Sequence, residues 1–286
     1  MQWIFIGRGG WRAGWRFLLF FVIALTVAQL LDLAVKAVAG ELQPAGEWTP
    51  AGLGAEAALT LAAVAIATML MSRLERRSVA EYGLPLRSAS GILFGQGVLG
   101  GFVVATVVVA LVWLGGGASF HGAAGTAGLL PWAATMLLVG LAEELLYRGY
   151  ALFTFATGMG FWPAAWLLSL LFGAAHLAKP DETVLDIAAI VLFGLFWCFT
   201  VRRTGSLWFA AGFHAAFNTA AMAIYAAPNT GNGGRSIAGH VLEVAYRGPA
   251  WLTGGACGLE ASVFTLALLG ALFPLVARLY PSRSPA

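Results

Sequence analysis

The stretch LLVGLAEELLYRGY, residues 137 to 150, sets Glu143, Glu144 and Arg148 into an otherwise apolar run with helical spacing. A charge at membrane depth costs about 3 kcal/mol or more, so such residues are by default functional or tightly paired. Glu144 and Arg148 are four apart and share a helix face, where the guanidinium holds the carboxylate in a charge-assisted pair. Glu143 shares its own face with Tyr147, about 100° around the helix. It is the carboxylate left to take a proton from water as a general base. A purely structural ion pair, with a second carboxylate beside a water-filled cavity, fits the same residues.

Two further polar sites lie downstream. LLFGAAHLAKP places Phe172 and His176 on one helix face, and GSLWFAAGFHAAFNTAA places His214 and Asn218 on another, each pair at a spacing of four. A single histidine on an apolar helix also serves as a hydrogen-bonded core residue, and a His and Asn pair also serves as interhelical glue. Counting from turns near Gly158 and Thr204-Gly205 brings Glu143, His176 and His214 to a similar level. We expect that level in the inner half of the membrane, in a water-filled cavity open to the cytoplasm. The KPDE segment at 179 to 182 then follows His176 too soon to have crossed the remaining bilayer, which would let Asp181 and Glu182 line the same cavity.

The elements that position these residues are membrane spans. The chain of 286 residues is 60% hydrophobic and 10% charged, against about 25% charged in soluble domains. Apolar runs predict an all-α, polytopic fold of about eight transmembrane helices, at 16 to 38, 54 to 72, 92 to 114, 129 to 156, 161 to 178, 184 to 201, 206 to 226 and 257 to 279. The polar sites fall on the fourth, fifth and seventh, within a single membrane domain over 1 to 286. Arg8, Arg12 and Arg16 ahead of an apolar run that ends in Ala37-Val38-Ala39 also fit a cleaved signal.

Most of the 16 Lys and Arg sit at span ends assigned to one side, which predicts a multi-pass protein of the inner (plasma) membrane with both termini cytoplasmic. That distribution excludes a nucleic-acid partner, because topology accounts for the basic residues. The polar segment 72 to 90 belongs at the inner headgroup layer, and the Gly- and Asn-rich stretch 227 to 256 reads as a long outer loop. Cys198 and Cys257 form no metal or redox spacing and read as packing residues.

Three motifs carry a family resemblance. EELLYRG at 143 to 149 resembles EExxxRG, FGAAH at 172 to 176 resembles FxxxH, and HAAFN at 214 to 218 resembles HxxxN. They stand in the order and rough spacing of the CAAX prenyl protease and bacteriocin-processing family of intramembrane proteases, also called the Abi family. AEYGLPLR, before the third span, is similar to bacterial members as well. The resemblance covers residues 129 to 225 and reaches the flanking spans only through topology.

It implies an endopeptidase that cleaves membrane-associated or lipidated peptides or proteins near the cytoplasmic face. Glu143, His176, His214 and Asn218 would be its catalytic residues, supported by Glu144, Arg148, Tyr147 and Phe172. Glu143, with His176, would deprotonate a water and later deliver a proton to the leaving amine, while Asn218 and His214 would donate to the oxyanion. Members have been described both as metalloproteases and as glutamate-type enzymes. A zinc ion would take Glu143, His176 and His214 and keep one position open. The HExxH spacing is absent, which favours a reaction without a cofactor. The implied partners are a membrane-bound substrate and the bilayer.

Two other classes fit parts of the pattern. A proton- or cation-coupled transporter would use Glu143, Glu144 and His176 as a relay, but the chain shows no inverted repeat. A non-catalytic scaffold or immunity protein has no need of a second, unpaired glutamate in the membrane.

Overall fold

The computed structural model describes residues 6–7, 10–42, 47–85, 91–177 and 182–281. It is an all-α bundle of α1 (Ala13–Ala39), α2 (Pro50–Glu75), α3 (Ile92–Leu114), α4 (Leu129–Arg148), α5 (Tyr150–Met159), α6 (Phe161–His176), α7 (Val184–Thr204), α8 (Trp208–Asn218), α9 (Ala250–Thr253) and α10 (Val263–Leu279). By length and composition, 5 helices can cross a membrane: α1, α2, α3, α4 together with α5, and α7. Helices α6 and α10 are apolar but have 16 and 17 residues. Helix α8 runs on through a π-helix at Thr219–Ile224.

The elements start and stop where local chemistry dictates. Pro50 opens α2, with the Thr49 side chain accepting from the Gly52 backbone N–H. Thr183 and Asp186 form a reciprocal capping box at the start of α7. Small residues set how closely the helices approach. A Cβ on Gly97 would stand 2.1 Å from the Phe209 carbonyl oxygen and one on Gly101 2.1 Å from that of Phe213. Gly212 meets the Phe94 carbonyl oxygen from the other side. This lets α3 and α8 touch backbone to backbone, the usual device where lipid removes the hydrophobic drive between helices.

The bundle has two unlike faces. On one lie the start of α1, the end of α2 and the turns into α6 and α8. Here Glu75 gathers Arg16 at 3.1 Å, the Tyr82 hydroxyl at 3.2 Å and the Tyr150 hydroxyl, and the Leu207 N–H donates to the Gly83 carbonyl. We call this the terminal face. The other, the loop face, collects the connections before α2, α4, α7 and α10. Trp48 donates its backbone N–H to Asn232, Trp132 its indole N–H to the Ala238 carbonyl, and Thr230 its hydroxyl to Glu182.

The stretch 227 to 256, expected to be loop throughout, also contains a strand. The hairpin β1 (Ile6–Gly7) and β2 (Gly10–Trp11) precedes α1, whereas β3 (Ala118–Ala123) and β4 (Leu242–Tyr246) pair antiparallel on the loop face, with a bulge between Phe120 and Gly122. Cys198 and Cys257 are both buried.

Candidate active site

Helix α4 carries Glu143, Glu144 and Arg148, and two glycines allow their environment to close around them. Gly140, one turn before the glutamates, packs on α8, where an added Cβ would lie 3.2 Å from Ala215 N and 3.5 Å from His214 Cβ. Gly194 on α7 leaves room for Arg148, whose Nη2 would be 2.7 Å from a Cβ there. Arg148 is fully buried, its guanidinium carbon 4.5 Å from the ring centroid of Phe172, 5.2 Å from that of Trp197 and 5.5 Å from that of Tyr147. Its Nη1 donates to Glu144 Oε1 at 3.2 Å, so the expected ion pair is present and Tyr147 and Phe172 flank it.

The same carboxylate oxygen also accepts from His214 Nδ1, at 3.1 Å. Trp197 stacks on the imidazole at a centroid distance of 4.2 Å and an interplanar angle of 14°. The other ring nitrogen, Nε2, stands 3.6 Å from Glu143 Oε2, beyond direct hydrogen-bond length. Glu143 is partly exposed while Glu144 is buried, which separates a reachable carboxylate from a fixed one.

His176 is the last residue of α6, and its Nδ1 donates back to the Phe172 carbonyl at 2.9 Å. Its ring meets Phe172 edge to face at 4.9 Å. Asn218 ends α8 where the π-helix begins, an irregularity frequent at functional sites. Glu143, His176, His214 and Asn218 all line one cavity of about 260 Å³. Trp48, Glu56, Asn229 and Glu260 also line it, and none of these, nor Trp197, stood out from the sequence.

Those four extra residues show where the cavity sits in the bundle. They belong to the loop face or to the first turns of α2, so the cavity extends towards the loop face. Helix α6, at 16 residues, is about 24 Å long and shorter than a bilayer core of about 30 Å. This accounts for the charged segment arriving so soon after His176. Asp181 lies outside the described residues, and Glu182 accepts from Thr230 Oγ1 at 2.6 Å rather than lining the cavity.

The donor atoms of the zinc set, Glu143, His176 and His214, do not lie within 4.8 Å of one another. Among the described residues, the cluster of His, Cys, Asp and Glu with donor atoms within 4.8 Å of one another is Glu182, Asp186 and Cys257, not Glu143, His176 and His214. Both histidines have Nδ1 engaged, with Glu144 and with the Phe172 carbonyl, a contact that zinc-ligating histidines also make through the ring nitrogen turned away from the metal.

No curated protein matches the chain. Residues 125–220, which hold all three motifs, match the family model of the type II CAAX prenyl endopeptidase Rce1-like proteins, so over that segment the chain is similar to a family of membrane peptidases, as the motifs indicated.

Proposed function

We propose that the protein is an intramembrane endopeptidase that cleaves membrane-associated peptides with a water activated by Glu143. The observation that carries this reading is the shared cavity, in which a reachable carboxylate, two histidines and an asparagine converge beside a buried Arg148–Glu144–His214 chain.

Glu143 takes a proton from water, and the hydroxide formed attacks the peptide carbonyl carbon. His176, with Nδ1 held by the Phe172 carbonyl, presents Nε2 as the nitrogen that exchanges protons and helps pass one to the departing amine. Asn218 donates its side-chain N–H to the carbonyl oxygen as charge builds there. With its Nδ1–H on Glu144, His214 donates from Nε2 when the ring carries both protons, and the Glu144–Arg148 pair and Trp197 fix its orientation.

The test is incubation of the purified protein in liposomes with membrane-anchored peptides, read by mass spectrometry. Two fragments whose masses sum to the substrate plus one water are expected. Intact peptide recovered throughout, with ion or solute flux instead, would replace this reading with a transporter.

A further inference from the structure

The two faces of the bundle differ in charge as well as in architecture. At the terminal face, Arg12 and Arg16 begin α1, Arg73 and Arg76 end α2, and Arg202 and Arg203 end α7. The described loop face carries Lys36, Arg235 and Arg247, and Lys36 is paired with Asp32 at 3.2 Å and with Glu41 at 3.4 Å. An excess of Lys and Arg in short connections marks the cytoplasmic side. The terminal face is therefore cytoplasmic and the loop face extracytoplasmic.

The cavity belongs to the loop face. Its rim is Trp48, Asn229 and Glu260, and its wall on α2 is Glu56 and Thr60, in the first turns after the loop-face cap at Thr49. The way to the opposite face is closed. Below Glu144 and Arg148, the buried side chains of Leu145, Leu152, Leu168, Leu195 and Cys198 pack into one cluster.

We propose that the active site takes its substrate from the extracytoplasmic side, so that the substrate is an exported or membrane-inserted peptide and not the tail of a cytoplasmic protein. This rests on the peptidase reading for what is done to the substrate, and on geometry and charge alone for where it enters. It departs from what a CAAX-type resemblance first suggests, since residues 125–220 can share a reaction while the placement of Arg across the whole chain sets the side on which it runs.

The test labels cysteines in spheroplasts of cells expressing the full chain, using a membrane-impermeant maleimide. Glu56→Cys samples the cavity wall and Arg202→Cys the terminal face, with the unsubstituted chain, whose two cysteines are buried, as background. Glu56→Cys should label in intact spheroplasts, whereas Arg202→Cys should label only after permeabilisation. The reverse pattern would overturn the inference, and so would labelling of Glu56→Cys only after permeabilisation. Because labelling needs no catalysis, it decides the side even if no peptide is cut. A second arm supplies an impermeant peptide to sealed right-side-out vesicles. Cleavage from outside that disappears with Glu143→Gln supports both readings. Cleavage only after permeabilisation retains the peptidase and refutes the side.

Discussion

His214 donates Nδ1–H to Glu144 Oε1 at 3.1 Å, the same oxygen that receives Arg148 at 3.2 Å. One buried carboxylate thus joins α4 to α8 and sets which ring nitrogen of His214 faces the cavity. Glu144→Gln keeps the shape but weakens both charge-assisted bonds. It should lower kcat by about 10- to 100-fold, in line with other carboxylates that orient a working histidine, and leave KM nearly unchanged. Equal activity of Glu144→Gln and the parent would show that this contact has no part in the reaction.

Removing the cation should act on stability first. Arg148→Ala would leave Glu144 buried without its ion-pair partner, a change worth about 3–5 kcal/mol. Its thermal midpoint in detergent should fall well below that of Glu144→Gln. Arg148→Lys should rescue only in part, since an ammonium cannot reproduce the planar stacking among Phe172, Trp197 and Tyr147.

The contact between α3 and α8 can be probed without touching the site. Gly101→Ala places a methyl 2.1 Å from the Phe213 carbonyl oxygen, whereas Gly95→Ala meets nothing within 4 Å. The first should cost about 1–3 kcal/mol through forced separation of the helices, and the second should be nearly neutral. Similar melting of the two variants would mean that the close approach is not formed in the membrane.

The two groups at the cavity wall should separate by role. His176→Ala removes a proton carrier and should cost about 10²–10⁴ in rate. Asn218→Ala removes an oxyanion donor and should cost about 10²–10³ in kcat with little change in KM. Both should express and melt like the parent, and a collapse in expression of either would make it a structural residue.

Chelation addresses the zinc alternative. Because the donor atoms of Glu143, His176 and His214 are not gathered within 4.8 Å of one another, activity should survive exhaustive chelation. Loss with chelator and recovery on adding zinc would require these side chains to rearrange around an ion.

Charged and polar side chains inside apolar runs were legible because the bilayer makes them costly, and this found Glu143, Glu144, Arg148, His176, His214 and Asn218. What escaped the sequence was set by contacts between distant segments. Nothing local marks Trp197 as the residue stacked on His214, or joins Trp48 to Asn232 and Asn229 to Glu260 across the cavity rim. The β3–β4 ribbon brings together short segments far apart in the chain that carry no sustained alternation. Where a helix ends was equally hidden: α6 stops at His176, inside the apolar run expected to extend to 178.

The most direct test of the whole account is the rate of peptide cleavage in liposomes by the parent chain and by Glu143→Gln, at equal amounts of folded protein. The substitution preserves volume and removes the base that stands 3.6 Å from His214 Nε2. The account predicts fragments from the parent and a loss of at least about 10²-fold with Glu143→Gln. Cleavage that persists unchanged in Glu143→Gln would contradict it.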